Sequence, residues 1–190
     1  NKILCDWNGL VIDSIAKSSA IFRDEKLLNL AQQAFNFIKT SMYDGKTLYH
    51  SHCNSINKHE GMLEDYAYLI KAGITIFEIT TDEQYLKFSL ELTETLIENF
   101  GDEEGMFFIT SKMKDDVIIR NKQIVDNVMP NANAVMIENL TKLDFITGEH
   151  KYNQLNTKII QDYSSRINKE YFGICSFLNS LDFFNNYQSI

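Results

Sequence analysis

The chain has 190 residues, of which 44% are hydrophobic and 23% charged, and a formal net charge of −8. Such usage excludes a disordered segment. The acidic balance, with no Lys/Arg cluster, excludes a phosphate-lined nucleic-acid groove, and no apolar run approaches the roughly 20 residues that span a bilayer. Neither nucleic acid nor a membrane is therefore an expected partner. The chain opens at Asn1 with no secretory leader and reads as an excised segment of a longer protein. Cys5, Cys53 and Cys175 are odd in number, far apart and in no CxxC pair. They predict small core residues in a reducing compartment, the cytoplasm, rather than a disulfide framework or a zinc site.

One proline and eight glycines leave room for long helices. The first predicted helix runs from Trp7 to Phe22. The second opens at Asp24-Glu25 and carries Leu27, Leu28, Ala31, Ala34, Phe35, Ile38 and Met42 at helical spacing. Thr47-Leu48-Tyr49-His50-Ser51 then reads as a strand-like piece. Met62 to Thr80 is apolar around most of its circumference, which predicts a helix buried on most sides. Asp82-Glu83 opens the fourth helix, with Tyr85, Leu86, Leu92, Leu96 and Phe100 on one stripe, and Met106 to Thr110 is a second strand-like piece. Pro130 to Thr147 is the fifth helix; a proline at its start removes an N–H that has no partner there. Gly148-Glu149 opens the sixth, with Tyr152, Leu155, Ile159, Tyr163 and Ile167, and Glu170 to Tyr187 is the seventh.

Glu25, Glu83 and Glu149 recur 58 (25 to 83) and 66 (83 to 149) residues apart. That period holds two helices and their connections, the unit of a helical-hairpin repeat. The expected fold is all-α: residues 1–190 as a single segment of three hairpins plus one helix, part of an (α/α) toroid. The helices at 7–22, 62–80 and 130–147 form the inner ring. The long links, with their short β-hairpin-like loops, gather at one end beside the inner-helix N-termini and make the functional face. An unfinished ring leaves inner-helix surface uncovered, which predicts self-association through the exposed edge.

Polar residues concentrate at that face. Glu64 and Asp65 open the third helix, where they complement the helix dipole or act as acid/base groups or sugar-hydroxyl acceptors. Trp7 is packing or a sugar-ring platform, and Asp6 an N-cap or a functional carboxylate. Arg120 clamps an anionic group or braces a loop. His50, His52, Cys53 and His59 lack the spacing of a metal site, so no metal and no cofactor are expected, although His52 suits proton transfer at neutral pH. Gly101 to Gly105 encloses an acidic turn that lacks the calcium-loop pattern.

The runs Trp7-Asn8-Gly9-Leu10 and Leu63-Glu64-Asp65-Tyr66-Ala67, with Phe107-Phe108 and Arg120, resemble the helical region of the spermatogenesis-associated protein 20 family. In that family a thioredoxin-like domain precedes a six-hairpin (α/α) toroid similar to N-acylglucosamine 2-epimerase and to glycosidases. The resemblance covers approximately residues 2 to 187. It implies a thioredoxin-like domain upstream and absent here, and a toroid cut at about seven of twelve helices. A third family motif has drifted: Asp126, Pro130 and Asn133 are kept, but the Ser and Gly around them are replaced. The resulting expectation is a carbohydrate-binding or carbohydrate-processing domain, epimerase- or glycosidase-like, taking a small sugar. Glu64, Asp65 and His52 would be catalytic, and Trp7, Asn8, Tyr66, Arg120, Asp126 and Asn133 would bind substrate. The alternative is a non-catalytic scaffold attached to a redox module.

Overall fold

A computed structural model describes residues 2–114, 117–167 and 173–187. Among them are seven helices and three short strands. The chain divides into two compact units, residues 1–96 and 97–190.

The first unit holds β1 (Ile3–Leu4), α1 (Cys5–Phe22), α2 (Glu25–Ser41), β2 (Tyr49–Cys53), β3 (Ile56–Glu60), α3 (Leu63–Thr80) and most of α4 (Glu83–Phe100). Helix α3 is buried on nearly every side, as its sequence predicts, whereas α2 buries a narrow stripe of Ala31, Phe35 and Ile38. Phe35 meets Tyr85 and Phe88 of α4 edge-on. Helix α1 departs from the inner-helix pattern. It buries Cys5, Asp6, Gly9, Ile12, Asp13, Ala16 and Ser19, while Val11, Ile21 and Phe22 are exposed. The buried face turns to α3, against which Gly9 packs so closely that an added Cβ would lie 2.9 Å from Tyr68 backbone and side-chain atoms.

The sheet is antiparallel, in the order β1-β2-β3. Asn54 and Ser55, with φ of 50° and 61°, form the two-residue turn, since left-handed backbone at both positions matches the twist of a tight hairpin. Strand β1 runs straight into α1, and β3 ends just before α3, so the sheet sits over two helix N-termini.

The second unit contains the end of α4, α5 (Ala132–Thr147), α6 (Lys151–Arg166) and α7 (Cys175–Asn186). Helix α5 is buried around most of its circumference and packs on α6 and α7. The predicted start of the last helix at Glu170 lies outside the described residues. Helix α5 begins at Ala132, with Asn131 rather than Pro130 at its boundary: the Asn131 side chain accepts the Ala134 N–H. The Met106–Thr110 segment is not a strand. Asn133 accepts the Phe107 N–H and donates to its carbonyl, and Phe108 N–H donates to the Phe100 carbonyl, so the segment's backbone is satisfied without a ladder.

The hairpin markers have a structural basis. Arg23, Thr81 and Gly148 each close a predicted inner helix in the left-handed conformation; α2 and α4 then open on Glu25 and Glu83, whereas α6 opens at Lys151, two residues after Glu149 and with no acidic residue in its first turn. A long connection, residues 101–131, is held by a charged knot in which buried Lys122 contacts Asp102 at 2.7 Å, Glu104 at 3.0 Å and Asp162 at 3.1 Å, while Arg166 contacts Asp162 at 2.6 Å. A lysine ammonium thus occupies the centre of the acidic turn. Burial pushes the Asp162 carboxyl up, but hydrogen bonds from Arg166, Lys122 and the Met106 N–H outweigh it and hold the carboxyl below the usual range.

Two outcomes follow. Gly9→Ala gains helix propensity of about 1 kcal/mol but forces α1 off α3, and overpacking of about 1–3 kcal/mol prevails; urea denaturation should show a lower midpoint. Asp162 is more acidic folded than unfolded, so its contribution is complete above its unfolded pKa, about 3.9, and is lost as pH falls through the folded value. Unfolding free energy measured from pH 6 down to 2 should fall below about pH 4, with a shallower fall in Asp162→Asn.

Candidate functional site

The site is built by helix ends that lack caps of their own. Leu4 precedes α1 and has no side chain able to accept the free N–H groups of the first turn. Asp65, three residues into α3, reaches back to accept the Met62 N–H at 2.8 Å through Oδ2, the carboxylate half of a capping box. Its Oδ1 accepts the Asp6 N–H of α1 at 3.0 Å. One fully buried carboxylate therefore caps two helices. The β2 residue His50 completes the arrangement, its Nδ1 lying 3.1 Å from both Asp65 oxygens.

Around this centre stand two further carboxyls. Asp6 accepts the Trp7 N–H at 2.8 Å, yet burial, then the Asp65 charge, raises its pKa. Burial likewise raises Glu64, and its Oε2 is enclosed with no hydrogen-bond partner among the described residues. His50 is raised chiefly by its hydrogen bond to Asp65. No lysine or arginine among the described residues pairs with Asp6, Glu64 or Asp65. Cys5 donates to the Asp65 carbonyl, and burial keeps its thiol protonated by pushing it well up.

The sequence candidates therefore separate. Glu64, Asp65 and Trp7 lie at the ends of α1 and α3, with Trp7 59% exposed. Asn8 belongs to the same turn but commits its Nδ2 to the Leu4 carbonyl. Tyr66 is buried, its hydroxyl accepting the Leu48 N–H, with its pKa pushed up to about 12 by burial. His52 is turned to Asn57 and stacks edge-on against Phe37, away from the carboxylates. The imidazole that meets them is His50, two residues earlier on the same face of β2. Alternation places both histidines on that face, and only the tertiary fold selects between them.

Three candidates belong to the second unit and serve its backbone. Arg120 donates to the Thr110 and Asn99 carbonyls and stacks over Phe108 at 4.1 Å, the loop-bracing role. Asp126 accepts the Asn131 and Ser176 N–H groups, and Asn133 is spent on Phe107. Nor do His52, Cys53 and His59 form a metal-ligating group among the described residues. The donor atoms that converge, within 4.8 Å of one another, belong to Asp6, His50 and Asp65.

Comparison with known proteins supports the resemblance. The chain is 26% identical over 181 residues to spermatogenesis-associated protein 20 of Rattus norvegicus, covering 89% of this chain and 23% of that protein. The chain thus spans about a quarter of the length of the relative it matches. No family model matches the chain. Among solved structures, a GH76 α-mannanase of Bacteroides thetaiotaomicron aligns with a TM-score of 0.76 and 18% identity, over 97% of this chain and 53% of that one. Cellobiose 2-epimerase of Bacillus thermoamylovorans aligns with a TM-score of 0.72 and 14% identity, over 90% and 46%. An inactive α-1,6-mannanase variant of Salegentibacter, with two consecutive aspartates changed to asparagine and α-1,6-mannotriose bound, gives 0.71 and 14% over 90% and 49%. These neighbours are six-hairpin toroids, and the fold of this chain is a portion of an (α/α) toroid.

The two adjacent acids Glu64 and Asp65 should respond oppositely to neutralisation. Asp65→Asn deprives a buried N–H of its acceptor, a loss of about 1–3 kcal/mol. Glu64→Gln removes a partly buried charge, one oxygen of which lacks a partner, and should leave the melting temperature unchanged or raised at pH 7. Thermal denaturation of both variants checks this; equal losses would mean that Glu64 is structural too.

Proposed function

We propose that this segment belongs to a carbohydrate-processing toroid domain and that the joined N-termini of α1 and α3 contribute its sugar-recognition surface. The observation that carries the reading is Glu64. Its Oε2 is removed from water yet accepts no hydrogen bond, a cost that proteins retain where a ligand supplies the partner. A sugar hydroxyl is such a donor, and a charge-assisted bond to a carboxylate is among the stronger polar contacts available. Exposed Trp7 supplies an apolar face for the ring. Asp65, which accepts two N–H groups and meets His50, acts as a positioning residue that holds both helix ends in place. Neighbours of the same fold act on or bind sugars, including the mannotriose-bound Salegentibacter variant with its two altered consecutive aspartates; here the adjacent pair is Glu64-Asp65.

Titration calorimetry against mannose, glucose, N-acetylglucosamine and α-1,6-mannotriose tests the proposal. Binding of at least one sugar is expected, weakened about tenfold, or roughly 1.4 kcal/mol, by Trp7→Ala and by Glu64→Gln. Absence of binding to the whole panel would instead favour the scaffold reading, in which the toroid holds a thioredoxin-like module of a longer protein.

The exposed side of α1 supports a second feature. Val11, Ile21 and Phe22 stand 54%, 76% and 72% exposed on one helix, a stripe suited to a second copy of the chain. Light scattering should give a dimer or larger assembly that Phe22→Lys shifts toward monomer, and a concentration-independent monomer would contradict the interface.

A further inference from the structure

We propose that Asp6, His50 and Asp65 bind one divalent transition-metal ion of the Mn²⁺-to-Zn²⁺ class. The three donor atoms come from three separate elements, α1, β2 and α3, and converge within 4.8 Å. Ligands about 2.0–2.2 Å from a shared ion are themselves roughly 3–3.5 Å apart. The His50 Nδ1 lies 3.1 Å from each Asp65 oxygen, already at that spacing. Asp6 closes the group by rotation of its side chain, whose described hydrogen bond is to the neighbouring Trp7 N–H.

A second observation points to a cation independently. Three carboxyls, Asp6, Glu64 and Asp65, share this corner with one imidazole, and among the described residues no lysine or arginine pairs with any of them. Glu64 Oε2 remains enclosed and unpartnered, and the Glu64 carboxyl feels the charges of Asp65 and Asp6. Elsewhere in the chain a comparable acidic cluster is filled by Lys122; here, among the described residues, the basic side chain that pairs with a carboxyl of the group is the imidazole of His50, itself one of the three ligands. An ion supplies the missing positive charge. The donor set selects its class: an imidazole nitrogen with carboxylate oxygens suits first-row divalent ions, whereas Mg²⁺ and Ca²⁺ prefer oxygen alone. Cys5 is not a ligand, because its thiol faces the Asp65 carbonyl. The Asp65 bonds to Met62 and Asp6 N–H groups are the outer contacts that orient a ligating carboxylate. On binding, the ion displaces the hydrogen between His50 Nδ1 and Asp65, and the neutral ring keeps its proton on Nε2.

The inference does not rest on sugar binding, and its test contains no sugar. The 190-residue chain, stripped with chelator, is titrated calorimetrically with Zn²⁺ and separately with Mn²⁺, with Mg²⁺ for comparison. One Zn²⁺ or Mn²⁺ per chain is expected, with Mg²⁺ much weaker. His50→Ala and Asp6→Asn should each lower affinity about tenfold or more. Asp6→Asn retains an acceptor for the Trp7 N–H and so keeps the fold if His50→Ala does not. His52→Ala and His59→Ala, on the same hairpin, should leave binding unchanged. Absent binding, binding indifferent to both His50→Ala and Asp6→Asn, or binding lost with His52 or His59 would each overturn the assignment.

Discussion

The first unit depends on one buried carboxylate. Asp65 accepts the free N–H of its own helix, the free N–H of α1 and a contact from β2, so three elements meet at a single side chain. Neither helix has a hydroxyl or amide at its N-cap: Leu4 and Met62 stand there. A loss of either cap costs about 1 kcal/mol, and a buried charge without its donors costs more. The sheet over the helix ends and the close approach of α1 to α3 at Gly9 are both consistent with this shared cap. The same carboxylate gathers Asp6, Glu64 and His50 into one corner, so the chemistry of the site is a consequence of how the helices are terminated.

The helices were legible because burial and periodicity coincide in them. The stripes on α2 and α4 and the all-round apolarity of α3 and α5 each have one packing solution, and their boundaries lie within two residues of those expected. The marker spacing was legible for α2 and α4, where a left-handed residue closes one helix and an acidic residue opens the next, but α6 starts two residues after its marker Glu149. What was not legible is a partnership between residues distant in sequence. Asp6 and Asp65 are 59 residues apart and His50 and Asp65 15, and no local pattern distinguishes His50 from His52 on an alternating strand. The Met106–Thr110 segment failed for a related reason: its apolar run fits a strand, but Asn133 satisfies the backbone that a ladder would have used.

The drifted motif now has a physical account. Asp126 and Asn133, retained from the family pattern, make hydrogen bonds that hold the long connection to α5 and α7. Arg120 does the same from the other side. These hydrogen bonds are made by the retained residues and not by the small residues that the chain has replaced.

The two units therefore treat similar polar residues in opposite ways. In the second, almost every candidate is consumed: Arg120, Asp126 and Asn133 by backbone groups, and the acidic turn by Lys122 and Arg166. In the first, Asp65 caps two helices, but Glu64 retains an unpartnered oxygen, Asp6 a carboxyl crowded by Asp65, and His50 a ring drawn toward both. A protein interior ordinarily satisfies such groups or excludes them. Their survival together, next to a solvent-exposed tryptophan, separates a corner kept for a ligand from a corner kept for stability. That contrast directs the search for function in this chain to the N-termini of α1 and α3.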